Sequence, residues 1–267
     1  MAFVNCFILD YIHFITINIS YLIYIMSLKK NIEIENKDYK KGKVLKEKMD
    51  VYIPNIHPYF SCRNGMVYVL AGSGGSGKTQ LLMSLFTNKD AYFKNFHHIY
   101  YFCPSSSYLS LEKHPFKKHP NTFHELTQSI LNEIYDELNE IKETSKRTQY
   151  SCIIIDDFAA DLKNKDIVMQ LNKMIIKARH LACSFIFTLQ SFYYFPKILR
   201  KQITYITIFK PKNYFEFESL ATELLNLKKD DALKLFDYVF DEPYQHLDIC
   251  TVTNKYYKSF NPLQLEY

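Results

Sequence analysis

The sequence predicts an α/β fold, a three-layer sandwich in which a mostly parallel sheet lies between layers of helices. Short runs of strand-forming apolar residues alternate with segments of helical periodicity, which is the order that parallel βαβ units require. A glycine-rich loop joins the first of these runs to the first helix. Near the C terminus, residues 245–252 and 256–260 read as two strands separated by three residues, so we expect a β-hairpin there.

The glycine-rich loop is the most informative stretch of the chain. It fits the phosphate-binding pattern G-x-x-x-x-G-K-[ST] without a substitution, as Gly72-Ser73-Gly74-Gly75-Ser76-Gly77-Lys78-Thr79. Four of the six glycines in the chain fall inside it. A backbone that wraps a triphosphate turns several N–H groups inward, which needs positive φ angles and close approaches that glycine permits. The loop therefore predicts nucleotide binding and a phosphate-loop NTPase fold.

The residues on either side of the loop have the order that the motif requires. Residues 66–70 are apolar strand formers, and residues 80–86 have helical character, so a helix N terminus lies beneath the bound phosphates. We expect the backbone from Gly72 to Gln80 to bind ATP. Lys78 would reach the β- and γ-phosphates, and Thr79 would offer its hydroxyl to Mg²⁺.

Length and composition set wide limits on the function. With 267 residues, 48% of them apolar, the chain can form one sizeable core and is not a disordered protein. The net charge of +5 permits a nucleic-acid partner without requiring one. Six cysteines are scattered without metal-ligand spacing, which favours a reducing compartment.

The first 50 residues differ in composition from the rest of the chain. We expect an N-terminal leader there, followed by an ATPase domain over residues 51–267. Residues 2–28 are apolar, long enough to span a bilayer, and followed by two lysines. Asp10 and His13 interrupt this run. A membrane segment is one interpretation of it; translation from Met26, which would leave it out, is another.

Beyond the first helix, strand and helix patterns continue to alternate. Further strands are predicted at 98–103, 152–156, 184–190 and 203–209. Further helices are predicted at 124–143, 166–180, 215–225 and 230–240, with a short helical turn at 196–200. Residues 109–122 read as a loop.

The strand that begins at Cys152 ends in two carboxylates, Asp156 and Asp157. In phosphate-loop enzymes a second nucleotide motif belongs here, so we expect this strand beside the strand that precedes the loop, with its tip facing Mg²⁺. Asp156 would hold the metal ion through water, and Asp157 would orient and deprotonate the attacking water. A strand that ends in two aspartates can also simply begin a turn; the intact loop upstream favours the nucleotide role.

Gln190 ends the following strand. Because parallel strands end at the same edge of a sheet, its amide should lie near the loop and the two carboxylates. There it would sense the γ-phosphate or position water. A glutamine that caps the turn is the alternative.

Together these motifs resemble the FtsK/HerA group of ring-forming ATPases, and within it the genome-packaging ATPases of poxviruses, other large DNA viruses and virophages. The resemblance covers residues 66–260. It rests on the phosphate loop, the Ile-Ile-Ile-Asp-Asp strand end at 153–157, Leu-Gln-Ser at 189–191, and the segment from Pro196 to Arg200.

This resemblance implies an ATP-driven motor that moves double-stranded DNA into a preformed capsid. It implies a homo-oligomeric ring, a pentamer or hexamer, and a capsid or portal-vertex protein as partner. The expected location is the host cytoplasm at viral assembly sites, with the virion as an alternative. The alternatives in function are a DNA translocase or helicase in DNA processing, a small-molecule kinase, and a nucleotide-binding, membrane-associated virion protein without turnover.

The resemblance also implies an arginine that acts across a subunit boundary. The nucleotide in such rings lies between subunits, and an arginine of one subunit stabilises transition-state charge in the next. Arg200 is the candidate for this role, and Arg179 and Arg147 are its rivals; a surface or DNA-contacting residue is the other interpretation of Arg200. Candidate DNA-contacting lysines lie in loops, at Lys117, Lys118, Lys163 and Lys165.

Overall fold

The computed structural model describes residues 52–108, 115–116, 118–225 and 227–264. All of these belong to one compact unit, Glu47–Tyr267. The expected leader over residues 1–50, with both interpretations of its apolar run, lies outside the described residues, as does Lys117. Within the described ranges, no helix is both long and apolar enough to cross a membrane.

One sheet organises the described part of the chain, and it contains nine strands in the spatial order 3-2-4-5-1-6-7-8-9. The strands are β1 (Val67–Ala71), β2 (His98–Phe102), β3 (Thr122–Phe123), β4 (Ser151–Asp156), β5 (Cys183–Leu189), β6 (Tyr205–Phe209), β7 (His246–Cys250), β8 (Lys255–Lys258) and β9 (Asn261–Leu263). The first six are parallel and the last three antiparallel. The predicted mostly parallel sheet with a C-terminal hairpin is therefore confirmed. The short edge strands β3 and β9 were not predicted.

The predicted helices are present in the predicted order with shifted ends, and one short helix, Ser105–Tyr108, was not predicted. They are α1 (Lys78–Thr87), α2 (Ser105–Tyr108), α3 (Gln128–Thr144), α4 (Lys165–Ile176), α5 (Lys197–Arg200), α6 (Tyr214–Leu220) and α7 (Lys229–Val239). A π-helical segment, Ala221–Leu225, continues α6. Helix α3 begins four residues later than predicted because the Thr127 side chain accepts a hydrogen bond from Ile130 N and caps it.

Helices cover both faces of the sheet, as a three-layer sandwich requires. Side chains of β1 alternate between two apolar clusters, with Val67 and Val69 on one face and Tyr68 and Leu70 on the other. The first cluster contains residues of α3, α4, α6 and α7, and the second contains residues of α1. The core thus anchors α1, and with it the phosphate loop, against one face of the central strand.

The prediction that β4 lies beside β1 is wrong. Strand β5 lies between them, in parallel register with both: Leu189 pairs with Ala71, and Thr188 pairs with Asp156. Strand pairing depends on contacts between distant segments, so no local pattern in β4 could reveal its neighbour. The inserted strand places the residues at the end of β5 between the loop and the two carboxylates.

Candidate nucleotide site

The phosphate loop has the backbone geometry of an anion cradle. Gly75 and Gly77 have φ angles of +76° and +98°, a region that side chains disfavour, and Gly77 caps α1. A Cβ at Gly72 would lie 2.7 Å from Phe209 Cβ, so this glycine permits close packing against β6. Positions 74 and 75 have nothing within 4 Å of an added Cβ. The loop is thus packed at its base and open along its rim.

Two polar groups in the loop are buried, and the described residues give them one hydrogen bond or none. Lys78 is only 9% exposed, and its Nζ donates a hydrogen bond to Ser73 O at 3.0 Å. Burial lowers the pKa of Lys78, and the negative charges of Asp157 and Asp156 oppose that shift. The buried Ser76 hydroxyl has no hydrogen-bond partner among the described residues. An anion in the loop would compensate both groups.

Thr79 and Gln80 lie in the first turn of α1, directly after Lys78. The N–H groups of a first helical turn have no acceptor within the helix, so they point towards a ligand at the helix N terminus. Thr79 is therefore placed beside the cradle. This is the position that the sequence predicted for a metal ligand.

Asp156 is deeply buried at the end of β4, with 1% of its surface exposed. Its Oδ2 accepts a hydrogen bond from Tyr101 OH at 3.1 Å, and its Oδ1 accepts a short one from Thr188 Oγ1. Burial raises the pKa of Asp156, and the two hydrogen bonds act against that shift. Because both carboxylate oxygens already accept hydrogen bonds, the geometry suits contact with a metal ion through water.

Asp157 lies at the strand tip with a φ of +64°, in a region that aspartate and asparagine tolerate better than most residues. Its Oδ1 accepts a hydrogen bond from Gln190 Nε2 at 3.1 Å, and its Oδ2 accepts one from Ser107 Oγ at 3.3 Å. Its N–H donates to Thr188 Oγ1 at 3.1 Å. The carboxylate is thus held in one orientation at the sheet edge, beside Gln190 as expected.

Four site residues escaped the sequence reasoning, and Ser107, which donates to Asp157 Oδ2, is one of them. The Thr188 hydroxyl joins Asp156 to the backbone of Asp157, and the only signal for it was a polar residue near the end of an apolar strand. Tyr101 read as an ordinary strand aromatic. Glu216 is 7% exposed and accepts a hydrogen bond from Phe192 N at 3.2 Å; its charge also opposes the lowering of the Lys78 pKa.

Arg200 is engaged inside its own subunit. Its guanidinium donates hydrogen bonds to Phe195 O at 2.8 Å, to Tyr193 O at 2.7 Å, and to both carboxylate oxygens of Glu223 at 2.7 Å. It also stacks on Phe192, 4.7 Å from the ring centroid, and its side chain is only 8% exposed. Both Glu223 oxygens accept from the same nitrogen, Nη1, so these contacts engage all three nitrogens of the guanidinium. This geometry argues against the role of an arginine that reaches into a neighbouring subunit.

The two rival arginines lie together at the opposite edge of the sheet. Arg147 precedes β4 and Arg179 precedes β5, so both are at the start of strands whose far ends carry the site. They line a groove of about 320 Å³ with Lys142, Lys146 and His180, and its described lining contains no acidic residue. The groove is a concentrated positive surface, 
suited to an anionic partner.

The candidate DNA-contacting lysines lie in two regions of the structure, after β4 and before β3. Lys163 and Lys165 follow β4 and lie exposed on the site's side of the sheet. Lys163 Nζ lies 5.8 Å from the ring centroid of Tyr194, which is itself 53% exposed. Lys118 is exposed in the segment before β3.

The groups at this edge fit a nucleoside triphosphate with Mg²⁺. The open cradle, the unpartnered Ser76 hydroxyl and the buried Lys78 ammonium suit phosphate oxygens. The Thr79 hydroxyl and the Asp156 carboxylate are hard oxygen ligands of the kind that Mg²⁺ prefers, directly or through water.

Comparison with protein families gives a match over most of the chain. The family model described as "Poxvirus A32 protein" matches residues 62–255. These residues include the phosphate loop, both carboxylates, Gln190 and Arg200. Comparison with curated proteins gives no significant match.

Solved structures with the same fold include viral packaging ATPases. B204, the DNA-packaging ATPase from Sulfolobus Turreted Icosahedral Virus, matches with a TM-score of 0.53 at 17% identity, over 75% of this chain and 98% of B204. The genome packaging NTPase B204 from Sulfolobus turreted icosahedral virus 2, in complex with ATP-gammaS, gives 0.50 at 16% identity, over 75% and 100%. EssC (ATPases 2 and 3) from Geobacillus thermodenitrificans gives 0.53 at 15% identity, over 74% of this chain and 40% of EssC. At these identities the likeness shows a shared fold.

Proposed function

The chain belongs to the poxvirus A32 protein family, and from this premise we propose that it is an ATP-hydrolysing motor that translocates double-stranded viral DNA into the capsid. The observation that carries the proposal is the meeting of Lys78, Asp156, Asp157 and Gln190 at one edge of the sheet. The fold shared with the DNA-packaging ATPase B204 supports it.

The geometry favours hydrolysis because it presents a fixed carboxylate next to a phosphate cradle. Asp157, held by Gln190 and Ser107, orients a water molecule at the loop and accepts its proton as general base. Lys78 places its positive charge where negative charge develops on the phosphates. Bound Mg²⁺ would supply further neutralisation of the phosphate charge. Asp156, fixed by Thr188 and Tyr101, would hold that ion through water.

The proposal extends to a homo-oligomeric ring, a pentamer or hexamer, in which a neighbouring subunit completes the site. Because Arg200 is tied to Glu223, the arginine that acts across the boundary comes from the opposite edge, where Arg147 and Arg179 line the basic groove. Exposed lysines such as Lys163 and Lys165 contact DNA phosphates without reading sequence. A capsid or portal-vertex protein is the docking partner, and the location is the host cytoplasm at viral assembly sites.

ATP hydrolysis by the full chain, with and without double-stranded DNA, tests the proposed function. We expect DNA to stimulate hydrolysis, whatever its sequence, and salt to weaken the stimulation. Lys78→Ala should abolish turnover. Lys89→Ala is the matched control, because Lys89 is an exposed lysine just beyond the end of α1. A hydrolysis rate that does not change when DNA is added, or that is unchanged by Lys78→Ala, would contradict the proposed motor.

A further inference from the structure

Tyr244 lies against the phosphate loop, yet it has no part in the chemistry described above. Its Cδ1 lies 3.5 Å from the position that a Cβ would occupy on Gly77, the residue that caps α1. At the same time 73% of Tyr244 is exposed. Its φ of +65° is unfavourable for a tyrosine, and strain of this kind gathers at ligand sites. An exposed aromatic ring is thus held beside the nucleotide cradle in a costly backbone conformation.

The order of the strands determines which way a nucleotide lies across the loop. Asp156, Asp157 and Gln190 follow β4 and β5, which lie on one side of β1. The γ-phosphate must face these groups, since they position the attacking water. The nucleoside end must therefore point to the other side of β1, towards β6 and β7. Tyr244 lies on that side, two residues before β7 begins.

The turn that carries Tyr244 is anchored on both sides. Lys258 Nζ donates hydrogen bonds to the Asp241 carboxylate at 2.8 and 2.7 Å, and Ser259 Oγ donates a short one to Gln245 Oε1. Both donors belong to the C-terminal hairpin region, so strand β8 and the turn after it hold the residues that flank the tyrosine. The ring is therefore presented to the loop by a braced backbone, as a rigid stacking surface requires.

We infer that Tyr244 is the platform on which the base of the nucleoside triphosphate stacks. The inference rests on the proposed function, because it assigns the base-binding part of the same site. Stacking of a base needs an accessible aromatic ring, and Tyr244, 73% exposed, presents one next to the loop. The phosphate loop then holds the phosphates, and the turn before β7 holds the base.

Binding of two ligands to the full chain separates the base from the phosphates. Affinity is measured by calorimetry with Mg²⁺ and either ATP-gammaS or inorganic tripolyphosphate, which has no base. Tyr244→Asn removes the ring and suits the positive φ, because asparagine tolerates that conformation. We expect it to weaken ATP-gammaS binding by about tenfold or more and to leave tripolyphosphate binding unchanged.

Two further variants serve as controls. Tyr244→Phe keeps the ring and should bind both ligands as the unmutated chain does. Tyr52→Asn changes another tyrosine, 64% exposed, whose pairing with Arg63 places it near the start of β1, away from the loop. It should leave both affinities unchanged.

Each remaining outcome counts against the inference. Unchanged ATP-gammaS binding by Tyr244→Asn overturns it, and so does an equal loss of both ligands, which would make the ring a support for the loop. Equal affinity of the unmutated chain for the two ligands overturns it as well, while leaving the phosphate loop intact. If the unmutated chain binds neither ligand, the result contradicts the proposed function and therefore also the base stacking that rests on it.

Discussion

The side-chain amide of Gln190 donates a hydrogen bond to Asp157 Oδ1 at 3.1 Å. The two residues follow neighbouring strands, β5 and β4, so this bond ties the ends of those strands together at the edge that carries the phosphate loop. Ser107 holds the other carboxylate oxygen from the far side. The carboxylate proposed as general base is therefore oriented before any ligand binds.

Asp157→Asn should lower kcat for ATP hydrolysis by about 10²- to 10⁴-fold and leave nucleotide affinity nearly unchanged. Asparagine tolerates the φ of +64° at this position, so the change removes the base without straining the backbone. Steady-state hydrolysis and calorimetric binding check the two parts. The control is Asp136→Asn, an exposed aspartate on α3. Full turnover by Asp157→Asn would remove the general-base role and leave the rest of the site in place.

Gln190→Ala should lower kcat while KM for ATP stays close to that of the unmutated chain. The substitution leaves the charge of Asp157 intact and removes the donor that orients it, so only the positioned state of the carboxylate is lost. Hydrolysis measured over a range of ATP concentrations separates the two constants. A glutamine that merely caps the turn would instead lower the melting temperature and leave kcat unchanged.

Asp156→Asn should stabilise the fold at neutral pH and abolish hydrolysis. Burial raises the pKa of Asp156 above its ordinary value of 3.8, so the folded protein binds this proton more tightly than the unfolded chain does. The contribution of Asp156 to the free energy of unfolding therefore falls as pH rises from below 3.8 through the folded pKa. Asparagine does not titrate, so its advantage is smallest in acid and grows towards neutral pH.

Denaturant unfolding of both proteins between about pH 3 and pH 8 checks this prediction. The gap between the two free energies of unfolding should widen with rising pH. A gap that stayed constant across this range would mean that burial does not disfavour the ionised form of Asp156.

The parts of the site that local chemistry determines were predictable from the sequence. Gly75 and Gly77 predict positive φ angles. Strands that are followed by Asp157 and Gln190 predict an edge of the sheet where polar side chains meet. The fold class followed from the same alternation of strand and helix patterns. These features depend on residues close together in the chain.

The features that sequence reasoning missed depend on partners far apart in the chain. Thr188 acts through Asp156, 32 residues before it, and this contact exists only because β5 lies between β4 and β1. Arg200 contacts Glu223, which lies 23 residues further along the chain in the π-helical segment. No periodicity or motif near either residue indicates its partner.

Arg200→Ala should destabilise the fold by about 2 kcal/mol, because it removes hydrogen bonds to two main-chain carbonyls and to Glu223. Glu223 is 40% exposed, so solvent screens its ion pair, and most of the loss comes from the part-buried hydrogen bond to Phe195 O and the stacking on Phe192. Arg200→Lys should lose nearly as much stability, since an ammonium cannot reproduce the planar fork of the guanidinium. Thermal unfolding of the variants, with Glu223→Ala as the partner change, measures these effects.

Mixed rings distinguish this structural role from an arginine that acts across subunits. Folded Arg200→Ala subunits should hydrolyse ATP on their own, and mixing them with Lys78→Ala subunits should add no hydrolysis, because the arginine supports the subunit that carries it. The same mixing with Arg147→Ala or Arg179→Ala subunits should restore part of the hydrolysis, because an intact arginine of the Lys78→Ala subunit then faces an intact phosphate loop. Arg200→Ala subunits that have an unchanged melting temperature, are inactive alone and regain hydrolysis on mixing would return the role to Arg200.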